Sequence, residues 1–310
     1  MNLIINADDF GLDLDRDIGI YVGAKLNLLT SISIIITNNH KLNFRKKLIN
    51  SIIKNRNISI GLHVNLTDDP LLSFSSSDLY VKHYLYQKNK EIFWRNALKD
   101  NLFLKRINIE VESQFIKFEK TYGFKPHHLD FHNHCNIFSS KLEKIFEKIA
   151  IKKKIHLRIP DENFKNIDLK YLNHDLYKKI IDKNLINNEN INISCICNKF
   201  KDYISADMLL YRWLCQENIV IKDNLDFFGT IYGHIHKFKY LYGDVIKRIP
   251  NYKDCQLMIH PGFYIPFISH NTSFSNYQRF KELLDLVCLK FFINIRHKNN
   301  VKYRIYINYK

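Results

Sequence analysis

Residues 2–11 read NLIINADDFG, an apolar run through Leu3, Ile4 and Ile5 that stops at two adjacent carboxylates, Asp8 and Asp9, and then Gly11. This composition predicts a buried strand over 2–6, because a parallel strand covered on both faces is nearly all apolar. The alternation of short apolar runs with amphipathic stretches continues outward from it. A helix is expected over 15–28 with Asp15 as its cap, a strand over Thr30 to Thr37, a helix over 40–55 and a strand over Ile58 to Leu66. A helix over 107–122 closes on Gly123, followed by a strand near 127–131, a helix near 139–152 and a strand at 155–159. Helices near 205–217, 235–248 and 275–292, a strand at 255–260 and an alternating strand over Val301 to Tyr309 complete the pattern.

Alternation of this kind predicts an α/β fold with a mainly parallel sheet, either barrel or doubly wound. No glycine-rich loop follows any strand, which argues against a dinucleotide or P-loop fold. The expected architecture is one domain over residues 1–310, a single TIM-like (β/α) barrel with distortion of the ring allowed. Two segments resist the pattern and read as excursions from the barrel: an aromatic-studded insertion at 68–105 and an Asn- and Lys-rich stretch at 161–203.

The chain has 310 residues, 46% hydrophobic and 25% charged, which suits a globular protein with a large core. Its formal charge of +16 comes from 47 basic and 31 acidic residues and raises nucleic acid as a partner. Yet lysines are spread along the chain and accompany an abundance of Asn, Ile, Phe and Tyr, a joint bias of AT-rich coding rather than a binding stripe. No nucleic-acid partner is expected. The six cysteines show no disulfide-framework or metal-pair spacing, so they read as thiols in a reducing compartment. The N-terminus enters Leu3-Ile4-Ile5 without a basic leader region, and no apolar run is long enough for a membrane span. A cytoplasmic location is expected.

The polar residues of interest sit where apolar runs end: Asp8 and Asp9, His63, the cluster His128, Asp130, His132 and His134, then Arg158 and His260. In α/β barrels the chemistry gathers at the C-terminal ends of several strands. Singly, each has a plain reading as a turn residue, a buried histidine or an ion-pair partner. Three histidines and an aspartate alternating over residues 128–134 suit no simple core or surface pattern, and the constellation as a whole favours a metal site. Geometry limits the set. Asp8 and Asp9 cannot both face inward unless the strand ends or bulges, which Gly11 makes easy. Along an extended strand each step of two residues moves ~7 Å, so one ion takes only one or two of the 128–134 cluster, and the remainder orient a ligand or meet substrate.

Four of these segments carry a resemblance. Asn6-Ala7-Asp8-Asp9-Phe10-Gly11, Gly61 to Thr67 (GLHVNLT), Pro126 to His134 (PHHLDFHNH) and Met258 to Gly262 (MIHPG) resemble, in order and spacing, the motifs of YdjC-like carbohydrate deacetylases. Arg279, Glu282 and Leu283 match the closing helix of that family. The resemblance implies one divalent ion on Asp9, His63 and His132, with Asp8 as general base, His260 as acid, and Arg158 orienting the carboxylate or substrate. It favours magnesium, while three protein ligands also suit zinc. The implied reaction is hydrolysis of the acetamide of an N-acetylated sugar or oligosaccharide, and a homodimer is left open. Phe74, Tyr80, Tyr84, Tyr86, Phe93, Trp94 and Phe103 then make the 68–105 segment a candidate lid over sugar rings, with simple packing onto the barrel as the competing account. The sequence departs from the family at Phe131, Asn133, Asn136 and His127, which bears on the sugar pocket and not on the ligands. Rival readings are a metal-dependent phosphohydrolase or isomerase on a similar barrel, and a sugar-binding barrel without catalysis.

Overall fold

The computed structural model describes residues 2–55, 57–68, 71–73, 101–137, 139–161, 225–229, 254–263, 276–297 and 301–306. The helices expected near 205–217 and 235–248, the 161–203 segment beyond residue 161, and most of the aromatic 68–105 segment lie outside these residues.

Eight strands are described: β1 (Asn2–Phe10), β2 (Ser31–Ile34), β3 (Ser59–Val64), β4 (His128–Phe131), β5 (His156–Leu157), β6 (Asp226–Phe228), β7 (Asp254–Ile259) and β8 (Lys302–Tyr303). They form one parallel sheet in the order β5-β4-β3-β2-β1-β7-β6, with β8 pairing the start of β1. The helices between them are α1 (Leu14–Lys25), α2 (Leu42–Asn55), α3 (Asn101–Tyr122), α4 (Ser140–Lys153) and α5 (Asn276–His297). The α/β class and parallel sheet are thus as expected, but the ring is not closed among the described residues: β5 and β6 end the path and do not pair with each other. The sheet is a half-barrel whose ends curl towards one another. Arg158, just beyond β5, sets its guanidinium over the Phe227 ring of β6 at 5.8 Å.

Register explains the two faces. Strand alternation turns Leu3, Ile5, Ile32, Leu62, Leu129 and Leu257 outward to the helices, all at most 0% exposed. Burying each such side chain contributes ~1.5–3 kcal/mol. The opposite parity gives a polar interior: Asn6 and Asp8 on β1, Ser31 and Ser33 on β2, His63 on β3, His128 and Asp130 on β4, all buried. Gly61 lies in that layer because a Cβ there would sit 2.2 Å from His128 Nε2. Below this layer, Tyr306 closes the floor. Its ring stacks on His128 at 4.1 Å and His156 at 4.8 Å, its N–H donates to Ser59 Oγ at 3.3 Å, and its hydroxyl donates to Gln256.

Several boundaries differ from expectation for local reasons. Asp13, not Asp15, caps α1, since its Oδ1 accepts the Arg16 N–H at 2.9 Å while Asp15 falls in the first turn. α3 begins at Asn101, six residues early, and Phe103 is in the core beneath it rather than in a lid. The sequence pattern does not mark β6, and β8 covers Lys302–Tyr303 of the expected Val301–Tyr309 strand, whose last three residues lie outside those described. β1 runs on to Phe10, carrying both carboxylates inside the strand.

Candidate metal centre

β1 bulges where its carboxylates lie. Its register with β2 shifts between Ala7 and Phe10, and Asp9 takes φ 71, a left-handed conformation costly for a non-glycine residue. The bulge is what lets adjacent residues serve one site: Asp8 and Asp9 are 1% and 3% exposed, and both reach His63. A second break does the same for β4. The strand stops at Phe131 and a 3-10 turn, His132–Ile137, follows with Asn133 at φ 55 and His134 at φ 51. The uniform strand spacing expected over 128–134 therefore does not hold beyond Phe131. The turn carries His132 back to β1.

Three side chains meet there. His132 Nδ1 is 2.9 Å from Asp9 Oδ1, and His63 Nε2 is 3.4 Å from the same oxygen. Potential ligand atoms of Asp9, His63 and His132 all lie within 4.8 Å of one another. The Asp8, His63 and Asp130 group also converges within that distance, but a guanidinium already neutralises its carboxylates. Arg158 donates to both oxygens of Asp8 at 2.6 Å and approaches Asp130 at 2.9 Å. Asp130 in turn accepts from His63 Nδ1 at 2.7 Å, so the ring presents Nε2 to Asp9. Ser33 donates to Asp130 at 2.5 Å and contacts His128 at 3.0 Å, and Asn6 donates to Asp8 at 2.5 Å and to Ser33 at 2.8 Å. The donors fit a divalent cation: one carboxylate and two imidazoles, each with its far nitrogen against a further carboxylate.

Electrostatics favour a cation at the same point. Burial disfavours the imidazolium of His63, yet Asp130 and Asp8 outweigh it and hold its pKa up at about 10. His132 is likewise held at about 9 by Asp9 and Asp68 against burial. Asp9 stays well below the usual carboxylate range: burial would raise it, but His132 and His63 prevail. Arg158 overcomes the desolvation of Asp8 and Asp130 and lowers both. His134, buried and facing Arg158, is depressed to about 3.

Of the sequence candidates, Asp8, Asp9, His63, His132 and Arg158 are joined by direct contacts. His260 directly follows Ile259, whose Cα partner on β1 is Ala7, so it stands beside Asp8 at the end of the neighbouring strand. Its N–H donates to Glu282 Oε2 at 2.6 Å, and Arg279 holds the other Glu282 oxygen at 2.7 Å. The positions that depart from the family pattern have separate tasks. Phe131 packs on Phe146 of α4 at 4.1 Å, so its bulk does not enter the site. Asn136 donates to the Arg158 carbonyl at 3.2 Å, and Asn133 donates to Thr67 and Asp68. The sequence reading missed Asp68, 2.5 Å from His132 Nε2, and Arg16, 3.6 Å from Asp9. Asp68 had a signal, since it follows the Gly61–Thr67 motif directly. Arg16 looked like an ordinary residue of the first turn of α1.

A family model described as YdjC-like protein matches residues 2–288. A carbohydrate deacetylase of Clostridium beijerinckii is 27% identical over 262 residues, 83% of this chain and 98% of that protein. A chitooligosaccharide deacetylase of Citrobacter koseri is 29% identical over 167 residues, 54% of this chain and 62% of that protein. Among solved structures, a candidate cellobiose-phosphate cleavage protein of Enterococcus faecalis has the same fold, with TM-score 0.63 and 18% identity over 98% of this chain and 97% of its own.

Proposed function

The chain belongs to the YdjC-like family, and we propose that it is a metal-dependent hydrolase that removes the acetyl group from an N-acetylated sugar. The observation that carries this reading is the convergence of Asp9 from β1, His63 from β3 and His132 from the turn after β4 on one buried point. The relatives named carbohydrate deacetylase and chitooligosaccharide deacetylase support the substrate class. Bound there, a divalent ion supplies Lewis acidity, polarising the acetyl carbonyl and acidifying water.

The chain's own groups do the rest. Asp8 accepts the proton of the attacking water, and Arg158 keeps it ionised and aimed by gripping both its oxygens. Asp130 fixes His63 as the tautomer with Nε2 free for the ion. His260 gives a proton to the sugar nitrogen as the C–N bond breaks, so acetate and the free amine leave together. No helix among the described residues is long and apolar enough to cross a membrane. Cys135, Cys255 and Cys288 are free thiols, which fits a reducing, cytoplasmic setting.

The test is acetate release from a panel of N-acetylated mono- and oligosaccharides, before and after chelation, with Mg²⁺ or Zn²⁺ added back. Activity should vanish with chelator and return with one of the ions. His63→Ala should have none. Acetate release that survives complete chelation would sink the metal mechanism, and inertness towards every acetamide sugar would sink the substrate class.

A further inference from the structure

His63 and His132 are held alike. Each ring turns one nitrogen towards Asp9, and each has the other nitrogen against a carboxylate: Asp130 at 2.7 Å for His63, Asp68 at 2.5 Å for His132. Asp130 belongs to a strand and is buried, whereas Asp68 lies past the end of β3 with its side chain 30% exposed. A partly exposed carboxylate near a histidine is by default a surface ion pair of little consequence. Here the backbone around it is built.

Asn65 Oδ1 accepts the N–H groups of Thr67 at 3.2 Å and Asp68 at 3.1 Å, a side-chain-closed turn. Asn65 is itself clamped by Gln114 of α3, which donates to its carbonyl at 2.7 Å and accepts its N–H at 3.1 Å. Gln114 also donates to Glu110 at 2.8 Å, and Glu110 accepts the N–H groups of Leu72 at 3.0 Å and Ser73 at 2.9 Å. The turn is therefore tied to α3 on both sides of Asp68. From the opposite side Asn133 Nδ2 donates to Asp68 Oδ2 at 3.0 Å and to Thr67 Oγ1 at 2.8 Å. Asn133 does so from φ 55, a strained conformation that an asparagine tolerates and that this double contact explains.

We propose that Asp68 is the positioning residue of His132, fixing its Nε2–H so that Nδ1 faces the ion, with Asn133 holding the carboxylate in place. The inference rests on the reading of Asp9, His63 and His132 as ligands. It adds a second carboxylate–imidazole pair, built on a loop, to the one within the sheet. Orienting partners of this kind typically change metal affinity by ~10–100-fold.

Mn²⁺ titration, followed by loss of the free-ion EPR signal, measures the affinity of wild type, Asp68→Ala, Asp68→Asn, Asn133→Ala and His63→Ala. Asp68→Ala should weaken Mn²⁺ ~10–100-fold, and Asp68→Asn less, because its amide oxygen still accepts the Nε2–H. Asn133→Ala should show a smaller loss. At saturating Mn²⁺, Asp68→Ala should recover most of its kcat. ¹⁵N spectra of the Zn²⁺-loaded wild type should show His132 protonated at Nε2. Affinity of Asp68→Ala within twofold of wild type, alongside a lost site in His63→Ala, would overturn the role of Asp68 alone. A deep kcat defect persisting at saturating metal would instead make Asp68 part of the reaction and overturn positioning. Unchanged Mn²⁺ binding in His63→Ala would bring down the ligand assignment and this inference with it.

Discussion

Arg158→Met removes the one guanidinium that three contacts of at most 2.9 Å tie to Asp8 and Asp130. Both carboxylates are essentially inaccessible, at 1% and 0% exposure. Asp130 keeps His63 Nδ1 at 2.7 Å, while Asp8 is left with the same ring only at 3.8 Å, so Asp8 becomes the orphan. Removing one partner of a buried pair costs ~3–5 kcal/mol. The orphan can limit that cost by taking a proton, which from an unperturbed pKa of ~3.9 requires about 4 kcal/mol at pH 7 and about 1.5 kcal/mol at pH 5. In the wild type the folded pKa of Asp8 is lowered, so its contribution is present above the unfolded value and flat between pH 5 and 7. In the variant burial raises it, the folded state holds an extra proton, and stability falls by ~1.4 kcal/mol per unit as pH rises. Thermal melting followed by far-UV circular dichroism, in chelator so that no ion substitutes, should show Tm lowered by roughly 8 °C at pH 7, at ~2 °C per kcal/mol for a long chain. At pH 5 the deficit should shrink to about half or less. A deficit under ~2 °C, or one equal at both pH values, refutes the argument that Arg158 compensates a buried charge.

Gly61→Ala drives a methyl to within 2.2 Å of His128, which Tyr306 backs at 4.1 Å, and should destabilise the protein by ~1–3 kcal/mol in urea unfolding. A change below ~0.5 kcal/mol would mean that the interior yields there. Asp8→Asn should keep its metal by elemental analysis while kcat drops by ~10²–10⁴, whereas His63→Ala loses both; an emptied site in Asp8→Asn would make Asp8 a ligand. Ligand imidazoles must be neutral, and without the ion His63 and His132 keep their protons up to about 10 and about 9. Metal affinity should therefore climb between pH 6.5 and 8.5, by on the order of tenfold or more per unit, and a pH-independent Kd would contradict the protonated resting state. His260→Ala should slow an N-acetyl sugar far more than an activated acetyl ester, whose leaving group needs no proton; equal losses would assign His260 to positioning.

The sequence disclosed the strands best where apolar runs were longest. β1, β3 and β7 were legible because Leu3-Ile4-Ile5, Ile58 to Leu66 and Leu257 to Ile259 have few other uses. The three residues of β6 were too short to register as a run, and the start of α3 carries no proline or glycine mark before Asn101. Asp13 and Asp15 are equally good caps by type, and only the local backbone chose between them. The ligand candidates stood out by their place at strand ends. Their connection did not, because it depends on two left-handed backbones, at Asp9 and at Asn133–His134, that residue types permit without requiring. Asp68 was hidden differently. It was counted with the insertion that follows it, though Asn65 ties it to the motif before.

The pairing of β1 sets a schedule for making this protein. Its first residue, Asn2, pairs with Asp254 on β7, 252 positions later, and with Lys302 on β8. At roughly 5–20 residues per second, a stretch of ~250 residues takes about 12–50 s to emerge from a ribosome. Through that interval the strand bearing both Asp8 and Asp9 has one edge open to any stray partner. Local contacts such as the Asp13 cap and the α1–β1 packing can form early, but they do not complete the sheet. The slow event in folding is therefore a single long-range closure, which brings His260 beside a cluster from β1 to β5 whose own pairings are complete in sequence by residue 158.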